Sequence, residues 1–89
     1  MYSRLEFREF NKYGLPKRFY SIDEKGYPIG HGVIEYNSNM TRKNLTFYNR
    51  YSEPAEAFSG YAQIVYQYND QGEFVKAKLF NLAGEELNE

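Results

Sequence analysis

Large apolar residues recur along this chain in short alternating runs, each closed by a polar turn, and not at the three-to-four-residue spacing of an amphipathic helix. The turns are the clearest signal. Asn11–Gly14, Asp23–Gly26, Asn69–Gly72 and Asn81–Gly84 all read Asn/Asp-x-x-Gly. That pattern suits a type I turn, in which the Asx side chain bonds its own backbone and the glycine accepts a positive φ. The two turns of each pair are twelve residues apart, and Asn37 to Asn49 repeats the spacing in mid-chain, although Met40 and Ser52 stand where glycine belongs. A large, mainly apolar residue precedes each turn: Phe10, Ile22, Tyr36, Tyr48, Tyr68 and Phe80.

The segments between turns are too short for helices and rich in β-branched and aromatic residues. They predict six strands, at roughly Arg4–Phe10, Lys17–Ile22, Val33–Tyr36, Asn44–Tyr48, Ala62–Tyr68 and Phe74–Phe80. Short connections make neighbours antiparallel, so the expected fold is all-β: a single domain over 1–89, an antiparallel meander of about six strands built from three hairpin repeats at about 2–29, 30–59 and 60–89. Without gaps, Gly32–Asn37 lies over Ile64–Asn69 and Leu45–Asn49 over Ala77–Asn81, both at an offset of 32. The first repeat is offset by 26 from the second, which places six extra residues in the insert Arg50–Gly60. There Ser52 and Pro54 supply start signals for at most one short helical turn.

Strand alternation assigns the faces. Counted back from each first turn, Phe10, Arg8 and Glu6 share a face with Tyr36, Ile34 and Gly32 and with Tyr68, Tyr66 and Ile64. Glu9, Phe7 and Leu5 then fall with Glu35, Val33 and His31 and with Gln67, Val65 and Gln63. On that count neither face is cleanly polar, and the sheet must curl, form two small layers or bury one face against a second copy.

Composition narrows the function classes. Ten tyrosines and seven phenylalanines with no tryptophan suit half-wet strand faces. With no cysteine there is no disulfide framework and no thiolate chemistry, and a single histidine builds no His-rich metal site, so neither cofactor nor metal is expected. The net charge of −1 divides unevenly, with nine Lys/Arg against five Asp/Glu in residues 1–50 and two against seven in 51–89. The opening residues hold Arg4, Glu6, Arg8 and Glu9 rather than an apolar signal core, and no apolar run suits a membrane span, so a cytoplasmic protein is expected.

Candidate chemistry is sparse. Ser59–Tyr66, "SGYAQIVY", is similar to the octapeptide on the central strand of RNA-recognition motifs. That fold needs two helices behind its sheet, and here Ser59 replaces the basic residue and Gln63 a stacking aromatic, so nucleic acid is not the expected partner. His31, between Gly30 and Gly32, reads as a loop histidine without a Ser or Cys nucleophile nearby in sequence. Asp23-Glu24 and Glu85-Glu86 belong to solvated turns, and no phosphate cradle or nucleophile elbow is present. No catalytic residue is assigned.

Gly60–Leu87, "GYAQIVYQYNDQGEFVKAKLFNLAGEEL", resembles the tandem hairpin repeats of largely uncharacterised bacterial proteins, often surface or secreted, that read Gly-Tyr-Ala-x-x-x-Tyr-x-Tyr-Asp-x-x-Gly. The resemblance is weaker over Tyr2–Ile29 and degraded in the middle repeat, and it implies a structural pattern with no catalytic residue to carry over. The function expected is a non-catalytic protein-binding module using an aromatic-rich sheet face or an edge strand, with Tyr36, Tyr66, Tyr68, Arg42 and Lys43 as binding residues. The alternative is a small inhibitory or immunity-type protein that blocks an enzyme or nucleic-acid site by charge complementarity. An unidentified protein and a second copy, forming a homodimer, are the expected partners.

Overall fold

A computed structural model describes residues 4–56 and 60–87. They form one antiparallel sheet of seven strands in chain order: β1 Arg4–Phe10, β2 Pro16–Ile22, β3 Pro28–Tyr36, β4 Arg42–Asn49, β5 Gln63–Tyr68, β6 Phe74–Phe80 and a two-residue β7, Glu86–Leu87. Each strand pairs only with its neighbours in sequence, and the described residues include no helix. The all-β hairpin meander follows directly from the turn frame.

All six turns adopt one geometry. The N–H of the fourth residue donates to the carbonyl of the first, as in Gly14 to Asn11, and the N–H of the first donates to the carbonyl of the fifth, as in Asn11 to Leu15. This is a type I turn followed by a left-handed residue. The first side chain ties the loop further: Asn69 Oδ1 accepts from the N–H of Gln71 at 3.0 Å and of Glu73 at 2.9 Å, while its Nδ2 donates to the Glu73 carboxylate at 3.0 Å. Asn49 with Glu53 repeats the whole arrangement.

Met40 and Ser52 take the glycine's place without changing the turn, at φ of 70° and 63°. Side chains hold the Met40 turn: Asn37 donates to the Thr41 hydroxyl at 3.0 Å, and that hydroxyl donates to Asn39 at 2.6 Å. A side chain in the left-handed region still costs free energy that glycine avoids. Met40→Gly and Ser52→Gly should therefore each stabilise the fold, by about 0.5–1 kcal/mol once glycine's greater unfolded-state entropy is subtracted. Thermal unfolding measures this, and a lowered Tm in both variants contradicts it.

The insert differs from expectation. No helical turn starts at Ser52 or Pro54; the chain continues antiparallel along β4 instead, with Pro54 bridging Tyr48 and the Ala55 N–H donating to the Phe47 carbonyl at 3.1 Å. Residues 57–59 of the expected helical turn lie outside the described residues. Along the edge away from β3, β4 thus has two partners. Residues 54–55 take its C-terminal half, and β5 takes Asn44, Leu45 and Thr46 opposite Val65, Ile64 and Gln63.

β3 begins five residues earlier than its sequence signals suggest, which places Gly30, His31 and Gly32 within a strand and not in a loop. The glycines belong there because their neighbours occupy the space of a side chain. A Cβ on Gly30 would lie 2.9 Å from the Tyr48 carbonyl oxygen, and one on Gly32 would lie 2.5 Å from Phe19 Cε2.

Face assignment is where alternation fails. Phe7 stands opposite Phe19, and Phe19 opposite Gly32, while Glu6 stands opposite Tyr20 and Tyr20 opposite His31. Leu5, Glu6, Phe7 and Arg8 therefore lie on the faces opposite to those the count gives, whereas Glu9 keeps its own. The cause is Glu9, whose φ of 57° breaks the alternation by one residue just before the turn. Its carboxylate reaches Arg18 at 3.4 Å and the Tyr20 hydroxyl at 3.3 Å, on the side where the Arg8 guanidinium covers the Tyr20 ring.

With β1 set right, the two faces are chemically distinct. One carries two apolar rows across the strands, Phe7–Phe19–Gly32–Phe47 and Ile34–Leu45–Ile64–Leu79–Leu87. The other carries Glu6–Tyr20–His31–Tyr48 and, one step along, Arg8–Arg18–Val33–Thr46–Gln63–Phe80. Among the described residues the buried apolar side chains are Ile22, Ile34, Leu45 and Ala62.

Candidate functional site: an apolar aromatic face

The apolar face is assembled around aromatic residues of the first two hairpins, Phe7, Phe19 and Phe47, with Tyr61 beside them. Phe19 lies over Gly32, with its ring centroid 5.9 Å from that of Phe7 and 6.1 Å from that of Phe47, and Phe47 meets Tyr61 edge-on at 5.5 Å. Tilted and edge-to-face rings at these separations attract through their quadrupoles as well as by area. Leu5 and Phe7 at one margin are 42% and 46% exposed, and Phe74 at the other is 59% exposed.

Tyr36, Tyr66 and Tyr68 lie on this face by strand alternation with Ile34 and Ile64. Tyr66 and Tyr68 flank Phe74, at 6.3 Å and 6.1 Å between centroids. Tyr36 and Tyr68 do equivalent jobs in successive repeats: each reaches back across a strand to donate its hydroxyl to a carbonyl, Tyr36 to Pro16 at 2.5 Å and Tyr68 to Arg42 at 2.7 Å. Their rings stitch adjacent hairpins together, and their hydroxyls are engaged within the fold. Arg42, opposite Tyr36, and Lys43 are exposed, but they open β4 and do not form a turn tip as their sequence neighbourhood suggests. Pairing passes from Asn44 directly to Arg42, so Lys43 occupies a bulge.

Sequence reasoning missed Phe7, Phe19 and Phe47 as members of the face. A signal was present: Phe19-Tyr20 and Phe47-Tyr48 are aromatic dipeptides in even-numbered strands, and a dipeptide in a strand must send one ring to each side.

The second ring of each dipeptide builds a stack on the polar face. His31 lies between Tyr48, 5.1 Å away and nearly parallel, and Tyr20, 5.6 Å away. Arg8 sits 4.7 Å from the centre of the Tyr20 ring, and Arg18 pairs with Glu9. Arg8 also pairs with Glu6, which bonds Arg4 as well, at 3.2 Å; these contacts hold the Glu6 carboxyl below its ordinary pKa. His31 is pushed below the usual histidine value, chiefly because burial disfavours its charged form and secondly because of Arg18, with Glu9 opposing.

The folded protein therefore holds a proton on His31 less readily than the unfolded chain. Well above the unfolded pKa of about 6.5 the imidazole is neutral in both states and contributes nothing to the pH dependence. As pH falls through that value the unfolded chain takes up the proton first, and stability declines until the lowered folded value is passed. His31→Gln should remove this part of the acid loss, and Tm compared between the two proteins from about pH 8 to pH 5 tests it. Identical profiles contradict the assignment.

Where the insert leaves β4, a groove of about 370 Å³ opens between Phe47, Pro54, Ala62, Phe80 and Leu82. Its lining carries no titratable side chain. Across this region the Leu82 N–H donates to the Glu56 carboxylate at 3.1 Å. Among the described residues no group of three or more His, Cys, Asp or Glu side chains is placed to hold a metal ion, and no helix is long and apolar enough to cross a membrane. Comparison with protein-family models, curated proteins and solved structures gives no match.

Proposed function

We propose that this chain is a non-catalytic protein-binding module that docks its partner on the apolar aromatic face. The observation that supports this most is the pair of apolar rows on one side of the single sheet, with Leu5, Phe7 and Phe74 exposed at their margins. Exposed apolar side chains that continue a packed row mark an interaction site in a way that singly scattered ones do not. Strand addition at β1 is a weaker reading, because Arg4, Glu6, Arg8 and Glu9 charge that edge, and charged edges discourage pairing. Charge mimicry is weaker too: Arg4, Arg8 and Arg18 of the basic half are paired with Glu6 and Glu9.

Leu5→Ser with Phe7→Ser tests the reading at exposed positions, where the cost to folding is small. Immobilised wild-type protein should capture a partner from a lysate of its own organism, and the double variant should lose it while keeping its circular dichroism and Tm. Capture that survives the double variant but disappears as salt is raised favours charge complementarity instead.

A further inference from the structure

We infer that the occupant of the apolar face is a second copy of this chain, packed face to face to give a two-layer sandwich. This rests on reading that face as the docking surface and adds the identity of its partner. Area is the first argument. The chain exposes 6361 Å², whereas a compact monomer of its 10.6 kDa exposes roughly 5,500 Å². The excess of about 900 Å² matches the surface, near 800 Å², that each partner contributes to a stable interface of standard size. Shape agrees. The radius of gyration is 13.9 Å in a body of 45 × 34 × 19 Å, against about 12 Å for a compact domain of this length. One sheet covers one side of its apolar rows with its own backbone, and a second layer about 10 Å away completes the core, as in any two-sheet sandwich.

Charge decides between the two faces and between kinds of occupant. A two-fold axis sets each patch against a copy of itself, so a patch of one charge repels its copy whereas an uncharged apolar patch does not. Phe7, Phe19, Ile34, Leu45, Phe47 and Ile64 carry no charge, and the cations on this side, Lys17 and Arg42, are exposed at the starts of β2 and β4, so two copies meet across the rows themselves without repulsion. On the opposite face Arg4, Arg8 and Arg18 are paired with Glu6 and Glu9, and a two-fold contact would have to take those ion pairs and their copies out of water. A partner selected for charge would use that polar face and leave Leu5, Phe7 and Phe74 exposed at the margins of the apolar rows.

Sedimentation velocity of the full chain, across two decades of micromolar concentration, is the test. A monomer–dimer equilibrium is expected, with Phe7→Glu plus Phe74→Glu raising the dissociation constant at least tenfold and Tyr27→Glu plus Tyr51→Glu, on exposed turns, leaving it unchanged. A strictly monomeric wild type overturns the inference; if the Leu5→Ser/Phe7→Ser variant still loses partner capture in that case, the binding-module reading stands without it. A dimer that persists in the Phe7/Phe74 variant but is lost in Glu6→Pro overturns it in favour of pairing between β1 edges. Should the Phe7/Phe74 variant fail to fold, wild-type hydrogen exchange decides: added protection at high concentration is expected at the margins of the apolar face, and protection confined to β1 backbone amides contradicts the sandwich.

Discussion

Leu45→Ala should remove about 2–4 kcal/mol of stability, the largest loss expected from any single truncation in this chain. Leu45 is 7% exposed and stands at the centre of an apolar row, between Ile34 and Ile64. It also occupies the middle of the three pairs by which β5 joins β4, the seam interrupted by the insert. A domain of this size has a total stability of roughly 5–10 kcal/mol, so the loss is a large share of the whole. Chemical denaturation at fixed protein concentration gives the magnitude, and native-state hydrogen exchange gives the location. β5–β7 should open before β1–β3, because the truncation weakens a seam of only three pairs, whereas β1, β2 and β3 are joined by longer pairings that Leu45 does not enter. A loss below about 1 kcal/mol, within the range of an ordinary surface change, contradicts this account of the core.

Gly32→Val should cost about 1–3 kcal/mol, although valine is the better strand former. The strand backbone suits valine; the obstacle is Phe19, whose ring occupies the place of the missing side chain, with Cε2 2.5 Å and Cε1 3.1 Å from where a Cβ would lie. The ring cannot tip freely along the row, since Phe7 and Phe47 stand on either side. A double-mutant cycle separates crowding from backbone effects. In Phe19→Ala the space opens, so adding Gly32→Val should cost less than it does in the wild type, by at least about 1 kcal/mol of coupling. Additive losses would show that Gly32 is needed for its backbone and not for the ring above it.

Much of the architecture is legible in the turns. Asn or Asp three residues before a left-handed position repeats six times, and six local hydrogen-bond sets suffice to fix hairpins, strand order and antiparallel sense. Met40 and Ser52 obey the frame because the Asx bonds and the flanking strands impose the turn even where the residue is a poor fit. The four buried apolar residues illustrate the limit of that legibility: Ile22 and Ile34 are strong apolar signals, whereas Ala62 is buried because the Phe47 N–H donates to its carbonyl and its own N–H to that of Phe80. Nothing in the local sequence announces that position.

The candidate site was less legible, and for a specific reason. Alternation is a local count, and a single residue in the left-handed region shifts it. Glu9 does so in β1, and with that one φ the residues Leu5 and Phe7 move from the polar to the apolar side. His31 shows the same limit: Gly30 and Gly32 suggested a loop, but each is matched by a neighbour from another strand, and the histidine between them becomes the centre of an aromatic stack. The sequence by itself determined the hairpins, because the hydrogen bonds of an Asn-x-x-Gly turn close within five residues. Tertiary structure alone decided which side chains share a face and which glycines make room for a ring, because those depend on register between strands and on the approach of atoms far apart in the chain.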